Sequence, residues 1–108
     1  MKLIIAYIRP EVLTKVKCNL FARELYSMSI TNVLGAGQQK GYTEIYRGVQ
    51  TEVNLLKKLR LEMGVPEERL DEAIEAISSG ARTGHKGDGV IFVSDLAGAL
   101  RIRTGEAL

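Results

Sequence analysis

Residues 2–10 have the sequence Lys2-Leu3-Ile4-Ile5-Ala6-Tyr7-Ile8-Arg9-Pro10. Arg9 and Pro10 end this apolar run before it reaches the length of a signal-peptide core or a membrane-spanning helix. Its isoleucines, followed by a proline, instead predict a buried β-strand over residues 2–9. Because no export signal is recognisable, we expect the protein to be cytoplasmic.

A strand–helix–strand unit extends outward from this first strand. Residues 11–25 are predicted to be helical because apolar side chains recur every three to four residues, and Pro10 and Glu11 suit a helix start. Residues 28–34 alternate well enough to predict a second strand. From Gly35 to about residue 50 the hydrophobic pattern disappears. A loop of this length is unusual in a small domain unless it has a function.

A second unit of the same kind follows the loop. The alternation over residues 59–63 predicts a third strand. A second helix is predicted to begin at Pro66 and to end at residues 78–80, which are Ser-Ser-Gly. The apolar run Val90–Val93 predicts a central strand that is covered on both faces.

Two strand–helix–strand units in succession predict an α+β fold of the ferredoxin-like type, βαββαβ. In this fold a four-stranded antiparallel sheet carries both helices on one face. The other face also needs a cover, and neither the C-terminal tail nor the long loop has enough apolar residues to supply it. We therefore expect a homo-oligomer whose sheets pack inward.

Composition narrows the possible functions. The chain of 108 residues is 45% hydrophobic and 26% charged, which suits one globular domain. Its 15 basic and 13 acidic residues leave a formal net charge of +2, which supplies little field for binding nucleic acid or membranes. Cys18 is the single cysteine, which excludes an internal disulfide. No Cys/His cluster has metal-ligand spacing.

Three polar clusters are candidates for a binding site. Residues 35–41 follow a strand and contain three glycines, whose N–H groups would suit an anion; a flexible loop base is the alternative. Residues 83–89 again contain three glycines, which permit close approach of a ligand, or form only a tight loop. In residues 101–105, alternation would place Arg101 and Arg103 on one side of an extended chain. There they suit a polyphosphate or a carboxylate, or protect an exposed edge strand.

The residues offer little support for catalysis. His85 is the only histidine and has no partner that would make it a metal ligand or part of a triad. Asp88, between two glycines, is typical of a turn. No carboxylate pair or nucleophile–base pair can be assembled, so the sequence favours a binding module over an enzyme.

Together, the clusters resemble the hallmark stretches of the PII signal-transduction family, the trimeric nitrogen-regulatory proteins, over essentially the whole chain. The stretches that carry the resemblance are Gln39-Lys40-Gly41-x-Thr43-Glu44-x-Tyr46-Arg47-Gly48, Thr83-Gly84-x-x-Gly87-Asp88-Gly89 and Arg101-Ile102-Arg103-Thr104-Gly105-Glu106. The resemblance implies a homotrimer in which residues 1–108 form a single domain. Residues of about 37–55 would be its flexible T-loop, 82–90 its glycine-rich B-loop and 101–106 its C-terminal segment.

By resemblance, ATP or ADP binds in each cleft between subunits, and no resident cofactor is implied. One subunit would contribute Tyr7, Gly35, Gly37, Gln38, Glu62, Gly64, Gly87, Asp88 and Gly89. The neighbouring subunit would contribute Met28, Ser29, Arg101 and Arg103.

The resemblance also implies an effector and a partner protein. In family members Mg-ATP helps to bind 2-oxoglutarate, with Gln39 at the position that coordinates Mg²⁺ and Lys58 at the cation that pairs with the effector carboxylate. The T-loop changes shape with the ligand and docks on ammonium channels or metabolic enzymes. Tyr46 and Arg47 belong to that loop, and the arginine at Arg47 enters the channel mouth. Nucleic acid is not among the implied partners.

Some positions depart from the family pattern. Thr51 and Val49 stand where many members carry the modified tyrosine and serine, which argues against control by those modifications. Gln38 and Val90 stand where the family usually has an arginine and a lysine that touch the phosphates. Hydrogen bonds to charged groups contribute roughly 1.5–3 kcal/mol each. We therefore expect a weaker preference for ATP, with ADP or AMP as the main ligand.

The sequence thus favours a regulator of nitrogen metabolism that senses ATP, ADP and 2-oxoglutarate. The alternative is a diverged relative that binds ADP or AMP with another small anion such as bicarbonate, and regulates inorganic-carbon or other transport. An acyl-phosphate hydrolase is disfavoured because no glycine-rich loop follows Arg9. An RNA-binding domain is disfavoured because the strands offer few aromatic residues for stacking.

Overall fold

The computed structural model describes residues 1–37, 44–46, 49–51 and 54–108. Two helices, α1 (Leu13–Ala22) and α2 (Leu70–Ala81), each follow one turn of 3-10 helix, at Pro10–Val12 and Glu67–Arg69. The strands are β1 (Lys2–Ile8), β2 (Ser29–Gly37), β3 (Glu44–Tyr46), β4 (Val49–Thr51), β5 (Asn54–Val65) and β6 (Gly89–Asp95). In the described part of the chain, neither helix has the length and apolar character needed to cross a membrane.

Four strands form one antiparallel sheet in the order β2-β5-β1-β6. Within it, Ala6 of β1 lies opposite Leu61 of β5 on one side and Ile91 of β6 on the other. This order, with both helices on one face, confirms the predicted ferredoxin-like βαββαβ fold. A separate two-stranded ladder pairs β3 with β4, in a segment that the sequence pattern predicts as loop.

The hydrophobic core lies between the sheet and the two helices. Alternate residues of β1, namely Ile4, Ala6 and Ile8, are buried, as the period of a strand with one covered face requires. They form a single cluster with Val16 of α1 and Ile77 of α2. The three-to-four-residue spacing of apolar side chains in each helix directs one stripe of each toward the sheet.

β6 is an edge strand, so the prediction of a central strand covered on both faces is wrong. It pairs with β1 alone, and Val90 and Phe92 are 45% and 55% exposed on the sheet face away from the helices. Phe92 packs edge-on against Tyr7 there, with ring centroids 6.3 Å apart. The run is apolar on both sides, but nothing in the described chain covers this second face.

α1 ends at Ala22 rather than at the predicted residue 25. The Leu25 N–H donates to the Leu20 carbonyl at 3.0 Å, and the Glu24 N–H donates to Phe21 at 2.9 Å. These two bonds form a Schellman motif, with Glu24 at φ +57° where glycine is usual. The sequence lacks the glycine that would have marked this end, and the burial of Leu25 maintained the apolar pattern beyond it.

α2 continues to Ala81, through the Ser-Ser-Gly that was predicted to end it. Gly80 is buried against α1, where a Cβ built on it would lie 3.0 Å from the Val16 Cα. The Asn19 side chain of α1 donates to the Ala76 carbonyl and to the Ser79 hydroxyl, each at 3.1 Å. Gly80 and Ser79 are therefore part of the helix–helix contact and do not stop the helix.

β2 and β5 extend further than the hydrophobic pattern predicts. Gly35, Ala36 and Gly37 continue β2, and they lie opposite Leu56, Leu55 and Asn54 of β5 in that order. The predicted loop start at residue 35 and the third strand at 59–63 are therefore both too narrow. Strand pairing uses backbone groups, so it continues where side chains no longer alternate.

The C-terminal arginines lie in a turn and not in the extended chain that was predicted. The Gly105 N–H donates to the Arg101 carbonyl at 2.8 Å, and the Arg101 N–H donates to the Glu106 carbonyl at 2.9 Å. Gly105 has φ +73°, which closes the turn, and Leu100 forms a bridge with Ala107. Strand alternation therefore does not place Arg101 and Arg103 on one side.

Candidate functional site

A cleft of about 800 Å³ lies where the ends of β1 and β2 approach the start of β6. Its lining residues are Tyr7, Val33, Leu34, Gly35, Ala36, Lys58, His85, Gly87, Asp88, Gly89 and Val90. The fold thereby brings together predicted site residues from the first strand, from both glycine clusters and from the effector position. They are distant in sequence and meet because β1 lies between β5 and β6 in the sheet.

A second pocket, of about 330 Å³, collects four other predicted residues. Met28, Ser29, Glu62 and Gly64 line it together with Leu3, Ser27 and Met63. The grouping follows from strand pairing, because Ser29 lies opposite Glu62 and Leu3 lies opposite Gly64. Within one chain, residues assigned to two different subunits by resemblance thus share a pocket.

Asp88 organises the loop formed by residues 83–89. Its carboxylate accepts hydrogen bonds from the Thr83 hydroxyl, from the Thr83 N–H at 2.8 Å and from the Gly84 N–H at 2.9 Å. The Thr83 hydroxyl, then the N–H groups of Thr83 and Gly84 and the Arg9 guanidinium, hold the pKa of Asp88 well below its usual range. An ionised carboxylate with this many donors is a poor proton acceptor, so it acts as the centre of a turn.

Two cations hold successive carbonyl groups of this loop. Arg9 Nη2 donates to the Lys86 carbonyl at 2.5 Å, and Lys58 Nζ donates to the Gly87 carbonyl at 2.6 Å. In a trans peptide the N–H points away from the C=O. The N–H groups of Gly87 and Asp88 therefore point away from the cations that bind the carbonyls of their own peptide units.

Two glycines are required by the geometry of this loop. Gly89 has φ +115°, and a Cβ built on it would lie only 1.8 Å from the Tyr7 carbonyl oxygen. Gly87 has φ +93°, with Arg9 Nη2 3.3 Å from the same hypothetical atom. Both conformations are ones that residues with a side chain rarely adopt. The glycine pattern of residues 83–89 thus reflects close packing of the backbone on the end of β1.

Some predicted site residues lie elsewhere. Gln38, Gln39 and Arg47 are outside the described residues, while Gly37 ends β2 and Tyr46 ends β3. Arg101 and Arg103 are exposed and line neither of the two pockets.

Sequence analysis missed Arg9 as part of this site. Arg9 follows β1 directly, and Ile8 lies opposite Gly89, so its side chain reaches the loop before β6. The signal was a cation at the end of a strand, next to a proline that stops it. Without the strand order, that position could not be connected with residues 83–89.

The cleft suits an anion. Arg9, Lys58, His85 and Lys86 lie at or beside it, while its one acidic side chain, Asp88, is fully engaged by hydrogen bonds within the loop and to Arg9. Backbone N–H groups of a glycine-rich turn add fixed positive dipoles. Over residues 1–37, 44–46, 49–51 and 54–108 no group of three or more His, Cys, Asp or Glu side chains could hold a metal ion.

Comparison with known proteins extends these observations. Residues 1–106 match the family model described as "Nitrogen regulatory protein P-II". The chain is 47% identical over 106 residues to "Nitrogen regulatory protein P-II" of Rhizobium etli, covering 98% of this chain and 95% of that protein. It is 49% identical to the protein of the same name from Haemophilus influenzae, with the same coverage. It is 42% identical to "Nitrogen regulatory protein GlnK" of Escherichia coli, covering 99% and 96%.

Proposed function

This chain belongs to the P-II family of nitrogen regulatory proteins, and we propose that it is a signal-transduction protein that binds an adenine nucleotide at residues 83–89. The single observation that supports this most is the loop geometry in the cleft. Arg9 and Lys58 bind the carbonyls of residues 86 and 87, which leaves the opposite side of the loop with N–H groups. Such a surface is complementary to phosphate oxygens.

The adenosine part of the nucleotide would extend toward the pocket of Met28, Ser29, Glu62 and Gly64. The site would be completed by a neighbouring subunit of a homotrimer, which would bring in Arg101 and Arg103. The exposed apolar residues on the open face of the sheet, Val90 and Phe92 among them, support such an oligomer because water-exposed apolar area is reduced on association.

We further propose that residues 1–108 act as one domain that transmits the ligand state to a partner. Residues 37–55 would be the docking T-loop, with Tyr46 and Arg47 in contact with a membrane transporter such as an ammonium channel, or with a metabolic enzyme. Mg²⁺ would arrive with ATP and be held by its phosphates and Gln39. Lys58 would pair with the carboxylate of 2-oxoglutarate. The protein would work in the cytoplasm as a sensor and not as an enzyme.

One observation favours a second candidate. Val90 lines the cleft and is 45% exposed, so an apolar side chain faces the proposed phosphate region. A site with one cation fewer is better suited to ADP or AMP than to ATP. In this alternative the protein senses ADP or AMP with another small anion such as bicarbonate, and regulates inorganic-carbon or other transport.

Calorimetric titration with ATP, ADP and AMP tests the proposal. Each titration is repeated with Mg²⁺ and either 2-oxoglutarate or bicarbonate. Heat from 2-oxoglutarate only in the presence of Mg-ATP would support the nitrogen-sensing function. Tighter binding of ADP or AMP than of ATP, with no heat from 2-oxoglutarate, would favour the second candidate. Absence of binding by all three nucleotides would contradict both.

A further inference from the structure

Arg9 lies at the junction between the end of β1 and the loop of residues 83–89, and the proposed function gives it no ligand to bind. Its side chain is 26% exposed and that of Asp88 is 24% exposed, so the contact between them is largely shielded from water. Cations that are held at such a position restrict the groups around them. Arg9 is therefore a candidate for controlling the shape of the loop.

The guanidinium of Arg9 binds the loop on both sides of Gly87. Its Nε donates to Asp88 Oδ1 at 3.2 Å, while its Nη2 donates to the Lys86 carbonyl at 2.5 Å. Both donors belong to one rigid plane, so the two acceptors are held in a fixed relation to each other. Gly87, between them, is the residue with φ +93° at which the backbone turns.

The effect of Arg9 reaches the start of the loop through Asp88. The same carboxylate that accepts from Arg9 also accepts from the N–H groups of Thr83 and Gly84. One guanidinium thus connects the end of β1 with both ends of the loop. The third nitrogen, Nη1, lies 3.9 Å from Glu11 and faces away from these acceptors.

We propose that Arg9 is a positioning residue that fixes the direction of the Gly87 and Asp88 N–H groups and so sets the affinity of the site for phosphate. This inference rests on the proposed nucleotide-binding function. It states that Arg9 acts through Asp88 and the Lys86 carbonyl, without touching the ligand. Loss of Arg9 should therefore weaken binding more for each additional phosphate and leave the adenosine part unaffected.

The first test needs no ligand. Solvent exchange of the backbone amides is measured by NMR in the parent protein, in Arg9→Gln and in the control Arg23→Gln. Arg23 also donates to a backbone carbonyl, that of Asn19 at 3.1 Å, but it lies at the end of α1. We expect about tenfold faster exchange at Thr83 and Gly84 in Arg9→Gln alone. Equal exchange in all three proteins would overturn the positioning role.

The second test is calorimetric titration of the same proteins, and of Arg9→Lys, with ATP, ADP, AMP and adenosine. Removing a charged hydrogen bond predicts about tenfold weaker binding of ATP by Arg9→Gln, a smaller loss for AMP and no change for adenosine. Lysine carries the charge but cannot span both acceptors, so Arg9→Lys should resemble Arg9→Gln. Full ATP affinity in Arg9→Lys would overturn the proposal, because charge alone would then suffice.

A double-substitution cycle separates positioning from direct contact. If Arg9 acts through Asp88, then Arg9→Gln should weaken ATP binding much less in an Asp88→Asn background than in the parent. Additive losses would contradict the proposal. A parent protein that binds none of the nucleotides would refute the proposed function, and the exchange rates would still decide whether Arg9 positions the loop. Thermal unfolding identifies a variant that fails to fold, in which case Arg9→Lys provides the comparison.

Discussion

Gly80 of α2 approaches Val16 of α1 so closely that a Cβ built on Gly80 would lie 3.0 Å from the Val16 Cα. The same atom would lie 3.1 Å from both the Val16 Cγ2 and the Asn19 Nδ2. A backbone atom on one side and a hydrogen-bonded amide on the other leave little room for adjustment. The two helices are therefore held at a separation that only glycine allows.

Gly80→Ala is expected to destabilise the protein. Overpacking typically costs about 1–3 kcal/mol, which exceeds the gain of roughly 1 kcal/mol from replacing a helical glycine by alanine. Denaturant unfolding measures the difference. Gly98→Ala is the matched control, because a Cβ there meets nothing within 4 Å. Equal stability of the two variants would contradict this account of the helix contact.

Gly89→Ala should be far more harmful than Gly84→Ala. At Gly89 the new Cβ would lie 1.8 Å from the Tyr7 carbonyl oxygen, so β1 and β6 would have to separate. Gly84 also has a positive φ, +87°, but has open space around it, so only backbone strain of about 1 kcal/mol is expected. Thermal unfolding of both variants provides the test. A milder effect at Gly89 than at Gly84 would be inconsistent with the structure.

Acid should weaken the parent protein partly through Asp88. Its pKa is depressed in the folded state, so the stability it contributes is present above the pKa of about 3.9 of an unfolded aspartate. That contribution is lost as the pH falls toward the folded value. Asp88→Asn should therefore lose less stability than the parent when urea unfolding is compared at pH 5 and pH 2. Thr83→Val, which removes a hydroxyl donor to Asp88, should change the pH dependence in the same direction; a steeper loss in either variant would refute the prediction.

Val90→Lys is expected to shift the proposed nucleotide preference toward ATP. A cation at this position of the cleft would add a charged hydrogen bond to a phosphate, which corresponds to about a tenfold gain for ATP over AMP. Calorimetric titration with both nucleotides measures the ratio. Ser94→Lys adds the same charge to the other end of β6 and should leave the ratio unchanged. An equal gain in both variants would point to long-range electrostatics instead.

The sequence predicted the elements and the fold correctly, but not where several elements end. The end of α1 lacked its glycine because Glu24 adopts the left-handed conformation, and Gly80 suggested an end where α2 in fact continues. The extension of β2 through Gly37 depends on backbone pairing, which leaves no side-chain pattern. These are properties of contacts between segments, so a single segment does not reveal them.

The candidate site was predicted in part for the same reason. Glycines at 84, 87 and 89 signalled an unusual backbone, and each has a positive φ. Arg9 was missed because its contacts with the loop depend on β1 and β6 being neighbours. The extended arrangement expected for Arg101 and Arg103 was wrong, because the hydrogen bond from Gly105 to Arg101 closes a turn there.

The pairing of Gly37 with Asn54 also bears on how this family can diversify. Because these two residues lie opposite each other in the sheet, the ends of the intervening segment are already joined by the fold. The entropy of closing a loop grows only with the logarithm of its length, about 0.6 kcal/mol for each doubling. Mutations, insertions and deletions between these two positions can therefore accumulate with little penalty to the domain. Selection on that segment is free to follow its binding partners.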